Sequence, residues 1–65
     1  MKDIVGKIVD IMMKKFPQEK TLSILNWLET PEEAQELLDW MKTQDIMEIT
    51  EPMILEKIHQ IQKNF

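Results

Sequence analysis

The residues best suited to metal or acid–base chemistry are Glu56 and His59, which form a Glu-x-x-His pair. Dinuclear carboxylate sites in helical bundles use this spacing, because it places both ligands on one face of a helix. Such sites also need carboxylates that project inward from other helices. Here both residues lie opposite the apolar stripe of their own segment, so we expect them to face solvent. The sequence therefore predicts no metal site and no bound cofactor.

Covalent catalysis also lacks the residues that it needs. A nucleophile would have to be Ser23 or a threonine, and its base would have to be His59, because the chain has one histidine and no cysteine. Those groups would need a third residue to orient them and a pocket that excludes water. A chain of 65 residues with a single glycine offers neither a deep pocket nor a glycine-rich phosphate loop. We therefore predict that the protein is not an enzyme.

The strongest candidate for recognition is a group of carboxylates and a tryptophan in the stretch NWLETPEEAQELLDWM, residues 26–41. On a helix, Glu32, Glu36 and Asp39 lie roughly opposite the apolar residues of the same segment. Trp40 lies about 110° from the centre of that apolar stripe. We interpret these four residues as a candidate surface for binding a basic protein partner. The alternatives are an ordinary solvated face and, for Trp40, packing within the chain.

Helix initiation explains part of this stretch without a partner. Thr30, Pro31 and Glu33 form a capping box with proline at the first helical position. Glu32 and Glu33 also complement the positive end of the helix dipole. Trp27 falls among the apolar residues of the preceding segment, so we expect its side chain in the core.

The charge balance disfavours nucleic acid as the main ligand. The chain has 8 basic residues, all of them lysine, against 12 acidic residues, and its net charge is −4. Without arginine it has no guanidinium group for bidentate contacts with phosphate or guanine. The absence of cysteine excludes disulfides, and no run of 18 apolar residues is present, so no membrane span is predicted. We expect a cytoplasmic protein.

Three prolines divide the chain into four apolar-periodic segments, which predicts a single all-α domain over residues 1–65. The predicted helices cover about residues 2–15, 18–28, 31–44 and 51–63, in a compact bundle. Between the last two, residues 44–50 are expected to form a loop whose isoleucines fold back onto the core. Thr50 is expected to cap the fourth helix.

The apolar positions predict how each segment packs. In the first segment they cover an arc of roughly 200°, which is wider than one neighbouring helix requires. The second segment is apolar over more than half of its circumference and is expected to be the most buried. Met13 and Met53 lie off their stripes or at the edge, and they are expected to be exposed.

A chain this short gains little net stability from its core, because apolar burial and conformational entropy nearly cancel at this size. Self-association would improve that balance, so we expect a homo-oligomer, most simply a dimer. The sequence thus favours a small, non-enzymatic protein-binding domain that self-associates and uses its acidic third helix for docking. The alternatives are a small DNA-associated regulator, with the third segment as its recognition helix, and a purely structural homodimer subunit.

Overall fold

The prediction of a compact all-α bundle of four short helices is confirmed. A computed structural model describes the backbone of residues 2–64 and the side chains of residues 4–64. Within that range the chain has no strand. Its elements are α1 (Lys2–Met12), α2 (Gln18–Leu25), α3 (Pro31–Lys42), a single 3₁₀ turn (Ile46–Glu48) and α4 (Glu51–Asn64).

The main helix contacts form a ring. Helix α1 packs against α2 and α3, and α4 packs against the same two helices from the other side. Helices α3 and α4 run antiparallel, because Gln62 near the end of α4 contacts Glu33 at the start of α3. At the other end, Trp40 and Met53 lie side by side. Helix α4 therefore borders α3 near both of its ends.

The core lies inside this ring and is built from the inward stripes of all four helices. The predicted stripe of α3 is fully buried, and so are the main apolar positions of α4. The buried apolar residues are Ile8, Met12, Ile24, Ala34, Leu37, Leu38, Met41, Ile49, Ile54, Ile58 and Ile61. The helical periodicity therefore identified most of the core correctly.

The two predicted helix caps are present. The backbone N–H of Glu33 donates to Thr30 Oγ1 at 3.2 Å, with Pro31 as the first residue of α3. The backbone N–H of Met53 donates to Thr50 Oγ1 at 3.4 Å at the start of α4. These bonds satisfy N–H groups that have no partner within the helix, and so they fix where both helices begin.

Helices α1, α2 and α3 end two or three residues earlier than predicted. Each is followed by a tighter turn with bonds from residue i to residue i−3, for example Lys15 N–H to Met12 O at 3.0 Å and Leu28 N–H to Leu25 O at 3.0 Å. Proline sets only an outer limit for the first two helices, because Phe16 and Thr30 each precede a proline and helical backbone is disfavoured at those two positions.

The prediction that α2 is the most buried helix is wrong. Only Thr21 and Ile24 of α2 are buried, and Leu22 is 48% exposed. Helix α2 has eight residues, and it lies on one side of the ring where it covers α1 and α4 with a single face. The remaining apolar positions of α2 therefore face outward or sit at its edges.

The predicted loop between α3 and α4 does fold back onto the core. Ile49 is buried and Ile46 packs against the core, whereas Met47 between them is exposed. The ammonium of Lys15 donates to the carbonyls of Met47 and Ile49, and its Nζ lies 5.6 Å from the centre of the Phe16 ring. Lys15 thus ties the end of α1 to the 3₁₀ turn.

The single chain is already as compact as an ordinary monomer. Its accessible surface is 4467 Å², and the scaling for monomeric proteins gives about 4,400 Å² at a mass of 7.8 kDa. Its radius of gyration is 10.6 Å, close to the roughly 10.8 Å expected for 65 residues. Compactness therefore does not require a second copy.

Candidate functional site

The three predicted carboxylates form one exposed surface on α3. Glu32, Glu36 and Asp39 are all exposed, and we call them the acidic face. Gln35 Nε2 donates to Asp39 Oδ1 at 2.8 Å along the same helix. Among the side chains that the structure describes, the one ion pair is Lys20–Glu51, at 3.1 Å, and it lies elsewhere. The charge of the acidic face is therefore not neutralised by described lysines.

Trp40 packs within the chain. Its indole is half-buried and contacts the edge of the core. Around it lies a shallow depression of about 220 Å³ that it shares with Met53, Glu56, Lys57 and Gln60 of α4. Helix α4 therefore covers the side of α3 that lies next to the apolar stripe of α3, where Trp40 projects. This packing accounts for the position of Trp40 without a partner.

Trp27 is the protruding tryptophan, and the prediction that it lies in the core is wrong. Its side chain is 61% exposed. The prediction assumed that α2 continued to residue 28, but α2 ends at Leu25 and Trp27 lies in the turn after it. Asn26 is the one local signal for that end, because asparagine often terminates helices.

Beside Trp27 lies an apolar groove between the end of α2 and the flank of α4. It has a volume of about 250 Å³ and is lined by Trp27, Leu55, Ile58, His59 and Gln62. We call this the Trp27 groove. Trp27, Leu55 and Ile58 form its apolar walls, whereas His59 and Gln62 supply its polar edge. An exposed indole beside aliphatic side chains is the arrangement that interface anchors commonly adopt.

Gln62 joins the Trp27 groove to the start of α3. Its Nε2 donates to the carbonyl of Trp27 at 2.6 Å and to Glu33 Oε1 at 3.0 Å. These partners lie 35 and 29 residues away in the chain. The two bonds hold the turn that carries Trp27 and the start of α3 against α4.

The carboxylate of Glu33 is buried, with 4% of the residue exposed, and it has several donors instead of a cation. Its Oε1 accepts from Gln62 and from the backbone N–H of Glu29 at 3.3 Å, and its Oε2 accepts from Thr30 Oγ1 at 3.2 Å. Its position in the first turn of α3 also places it near the positive end of the helix dipole. Glu33, which belongs to the capping box of α3, is thus also part of the hydrogen-bond network beside the Trp27 groove.

Glu56, His59 and Ser23, the side chains best suited to metal or acid–base chemistry, do not converge. Glu56 and His59 are both exposed on α4, and Ser23 is exposed on α2. Within residues 4–64, no three histidine or carboxylate side chains are grouped so that they could hold a metal ion. None of the helices in the described part of the chain combines the length and the apolar character needed to cross a membrane.

A second apolar strip lies on the outside of α1. Val5 and Val9 are half-buried but are not among the residues that pack on the core, and Met13 is 47% exposed. Gly6 is on the same side of the helix, and a Cβ atom there would meet nothing within 4 Å. The predicted wide arc of α1 therefore includes a part that its two neighbours leave uncovered.

These features stand without a relative to interpret them. No protein-family model, no curated protein and no solved structure matches the chain.

Proposed function

We propose that this chain is a small, non-enzymatic protein-binding domain that docks a partner at the Trp27 groove. The observation that carries the proposal is Trp27, 61% exposed at the edge of a groove walled by Leu55 and Ile58. Exposing an indole to water is costly, and burying it against a partner contributes more than almost any other single contact. The absence of cysteine is compatible with a cytoplasmic site of action, which is part of the proposal.

The acidic face contributes to partner choice in this proposal, as the sequence had suggested for Glu32, Glu36 and Asp39. Exposed carboxylates steer a basic partner toward the surface and disfavour acidic ones. They add little affinity by themselves, because water and salt screen them. Trp27 replaces Trp40 as the proposed anchor, since Trp40 is already packed against α4.

The proposal is tested by retention of partners from an extract of the source cells. The immobilised chain is compared with Trp27→Ala and with Leu22→Ala, and the bound proteins are quantified by mass spectrometry. Leu22 is a matched control, because it is also exposed but does not line the Trp27 groove. Loss of a hot-spot tryptophan should reduce retention at least about 10-fold, whereas the Leu22 variant should bind as the original chain does.

The opposite result would contradict the proposal. If Trp27→Ala retains the same proteins in the same amounts, the groove is not the docking surface. If the original chain retains nothing beyond what the bare resin retains, the protein-binding function fails as well. Both variants are first checked by circular dichroism, so that a difference in retention is not a difference in folding.

A second candidate is self-association through the outer strip of α1. Val5, Val9 and Met13 favour it, because they form an apolar line that does not pack on the core formed by the described residues. Gly6 would allow a second helix to approach closely at that point. Sedimentation analysis tests this candidate: a monomer mass at micromolar concentration contradicts it. A dimer that Val9→Lys dissociates supports it.

A further inference from the structure

The shape of the Trp27 groove limits what it can hold. Its volume of about 250 Å³ lies below the roughly 300–1,000 Å³ of pockets that hold cofactors or other small molecules. Its lining residues on α4 are Leu55, Ile58, His59 and Gln62, with the spacing i, i+3, i+4, i+7. The groove therefore runs along two turns of α4, a length of about 10 Å. A volume and length of this kind suit one or two side chains from a longer ligand.

The backbone of that ligand must satisfy its own hydrogen bonds. The described residues contain no strand, so there is no sheet edge to which an extended peptide could add. The carbonyl of Trp27, which lies at the groove, already accepts from Gln62. A helix meets this requirement because its N–H and C=O groups pair internally. Side chains four residues apart on a helix are about 6 Å apart along its axis, so two of them fit the length of the groove.

The charges around the groove determine which kind of ligand helix fits it best. From Thr21 to Met41 the chain has five carboxylates and no basic residue. Gln62 bonds to both Trp27 and Glu33, and Glu33 accepts from the backbone of Glu29, so the start of α3 lies at one end of the groove. Glu29 and Glu32 there are exposed. On the opposite flank α4 carries Glu56, His59 and Lys63, all exposed, and the charges of Glu56 and Lys63 offset each other, so the net acidic side is the α2–α3 side.

We propose that the Trp27 groove binds a basic amphipathic helix of a partner protein, with apolar side chains of that helix in the groove and its lysines or arginines against Glu29 and Glu32. This inference rests on the proposed function and specifies the partner's chemistry. A second copy of this chain is a poorer occupant, because two chains that each carry a charge of −4 repel one another. The apolar groove provides the affinity, and the carboxylates determine which helices bind.

The test uses two synthetic peptides and the full chain labelled with ¹⁵N. The first peptide is an amphipathic helix with leucine at i, i+3, i+4 and i+7 and lysine on its other face; in the second, every lysine is glutamate. The two indole N–H signals distinguish Trp27 from Trp40 during the titration. At 0.1 M salt the basic peptide should shift the Trp27 indole and the amides around Leu55 and Ile58, and should leave the Trp40 indole in place.

The variants separate the apolar contribution from the charged one. Trp27→Ala should weaken binding of the basic peptide at least about 10-fold. Removing two charges with Glu29→Gln and Glu32→Gln should weaken it about 2- to 10-fold at 0.1 M salt, and by less at 0.5 M because salt screens exposed charges. The matched control is Glu19→Gln with Glu48→Gln, which gives the same net charge but changes carboxylates at the other end of α2 and in the 3₁₀ turn. It should bind as the original chain does.

Several results would overturn this inference. The first two are no binding of the basic peptide and equal binding of the acidic peptide. The third is a set of shifts spread over the acidic face, if Trp27→Ala leaves those shifts unchanged. The fourth is a Trp27 indole signal that moves with protein concentration alone. The last result would identify a second copy as the occupant. In each case the extract experiment can still find retention that depends on Trp27. Failure of the helix proposal is therefore distinguishable from failure of the protein-binding function.

Discussion

Replacing Gln62 by alanine should destabilise the domain by about 2 kcal/mol. The variant removes a hydrogen bond to the carboxylate of Glu33, worth about 1.5–3 kcal/mol for a charged acceptor, and one to the carbonyl of Trp27, worth about 0.5–1.5 kcal/mol. Gln62 is half-buried, so water partly replaces the lost donor and the lower end of the sum applies. A domain of 65 residues has roughly 3–10 kcal/mol in total, so the loss is large.

Urea unfolding monitored by circular dichroism measures this loss of unfolding free energy. In a thermal melt, the melting temperature should fall by about 8–16 °C. The matched control is Gln60→Ala, the same substitution at an exposed position of the same helix, which should change stability by less than about 0.5 kcal/mol. A double-mutant cycle with Glu33→Ala then isolates the contact itself. A coupling energy of at least about 1 kcal/mol is expected, and additivity within about 0.3–0.5 kcal/mol would refute the role assigned to this pair.

Four further outcomes are expected. Lys15→Met should cost about 1–2 kcal/mol and speed amide exchange in residues 46–49, because two carbonyls lose their donor, whereas Lys14→Met should cost little. Trp27→Ala should change the free energy of unfolding by less than about 0.5 kcal/mol, but Trp40→Ala by roughly 2 kcal/mol or more, since only Trp40 packs on the core. Gly6→Ala should raise stability by about 1 kcal/mol, and a loss instead would indicate a close approach at Gly6. Non-specific duplex DNA should not retain the protein even at low salt; retention that falls as salt rises would favour the DNA-associated alternative.

The parts of this molecule that follow local rules could be predicted from sequence. The apolar stripes of α3 and α4 gave most of the core, and the capping residues Thr30 and Thr50 gave the starts of both helices. These features depend on residues within one or two turns of each other. The presence of four helices, and a loop that folds back between the last two, followed from the same information.

The candidate site depended on what local rules cannot supply. Trp27 is exposed instead of buried because α2 ends three residues earlier than predicted. The boundaries of a helix are the feature that a periodic pattern predicts least accurately. The hydrogen bond between Glu33 and Gln62 joins residues 29 positions apart in the chain. No local sequence motif at either residue predicts this contact. The packing of Trp40 depended on which side of α3 the fourth helix covers. The side of α3 that α4 covers depends on how all four helices pack together.

The Trp27 groove has a thermodynamic consequence because its two walls come from separate parts of the chain. Trp27 follows α2, and every other lining residue belongs to α4, so any opening that detaches α4 abolishes the groove and the Gln62 bonds together. For the proposed partner, only the fraction of molecules with α4 docked would be able to bind, and the apparent dissociation constant would equal the intrinsic one divided by that fraction. A substitution far from the groove that loosens α4 should therefore weaken binding of that partner, and the partner, once bound, should slow amide exchange along the entire helix.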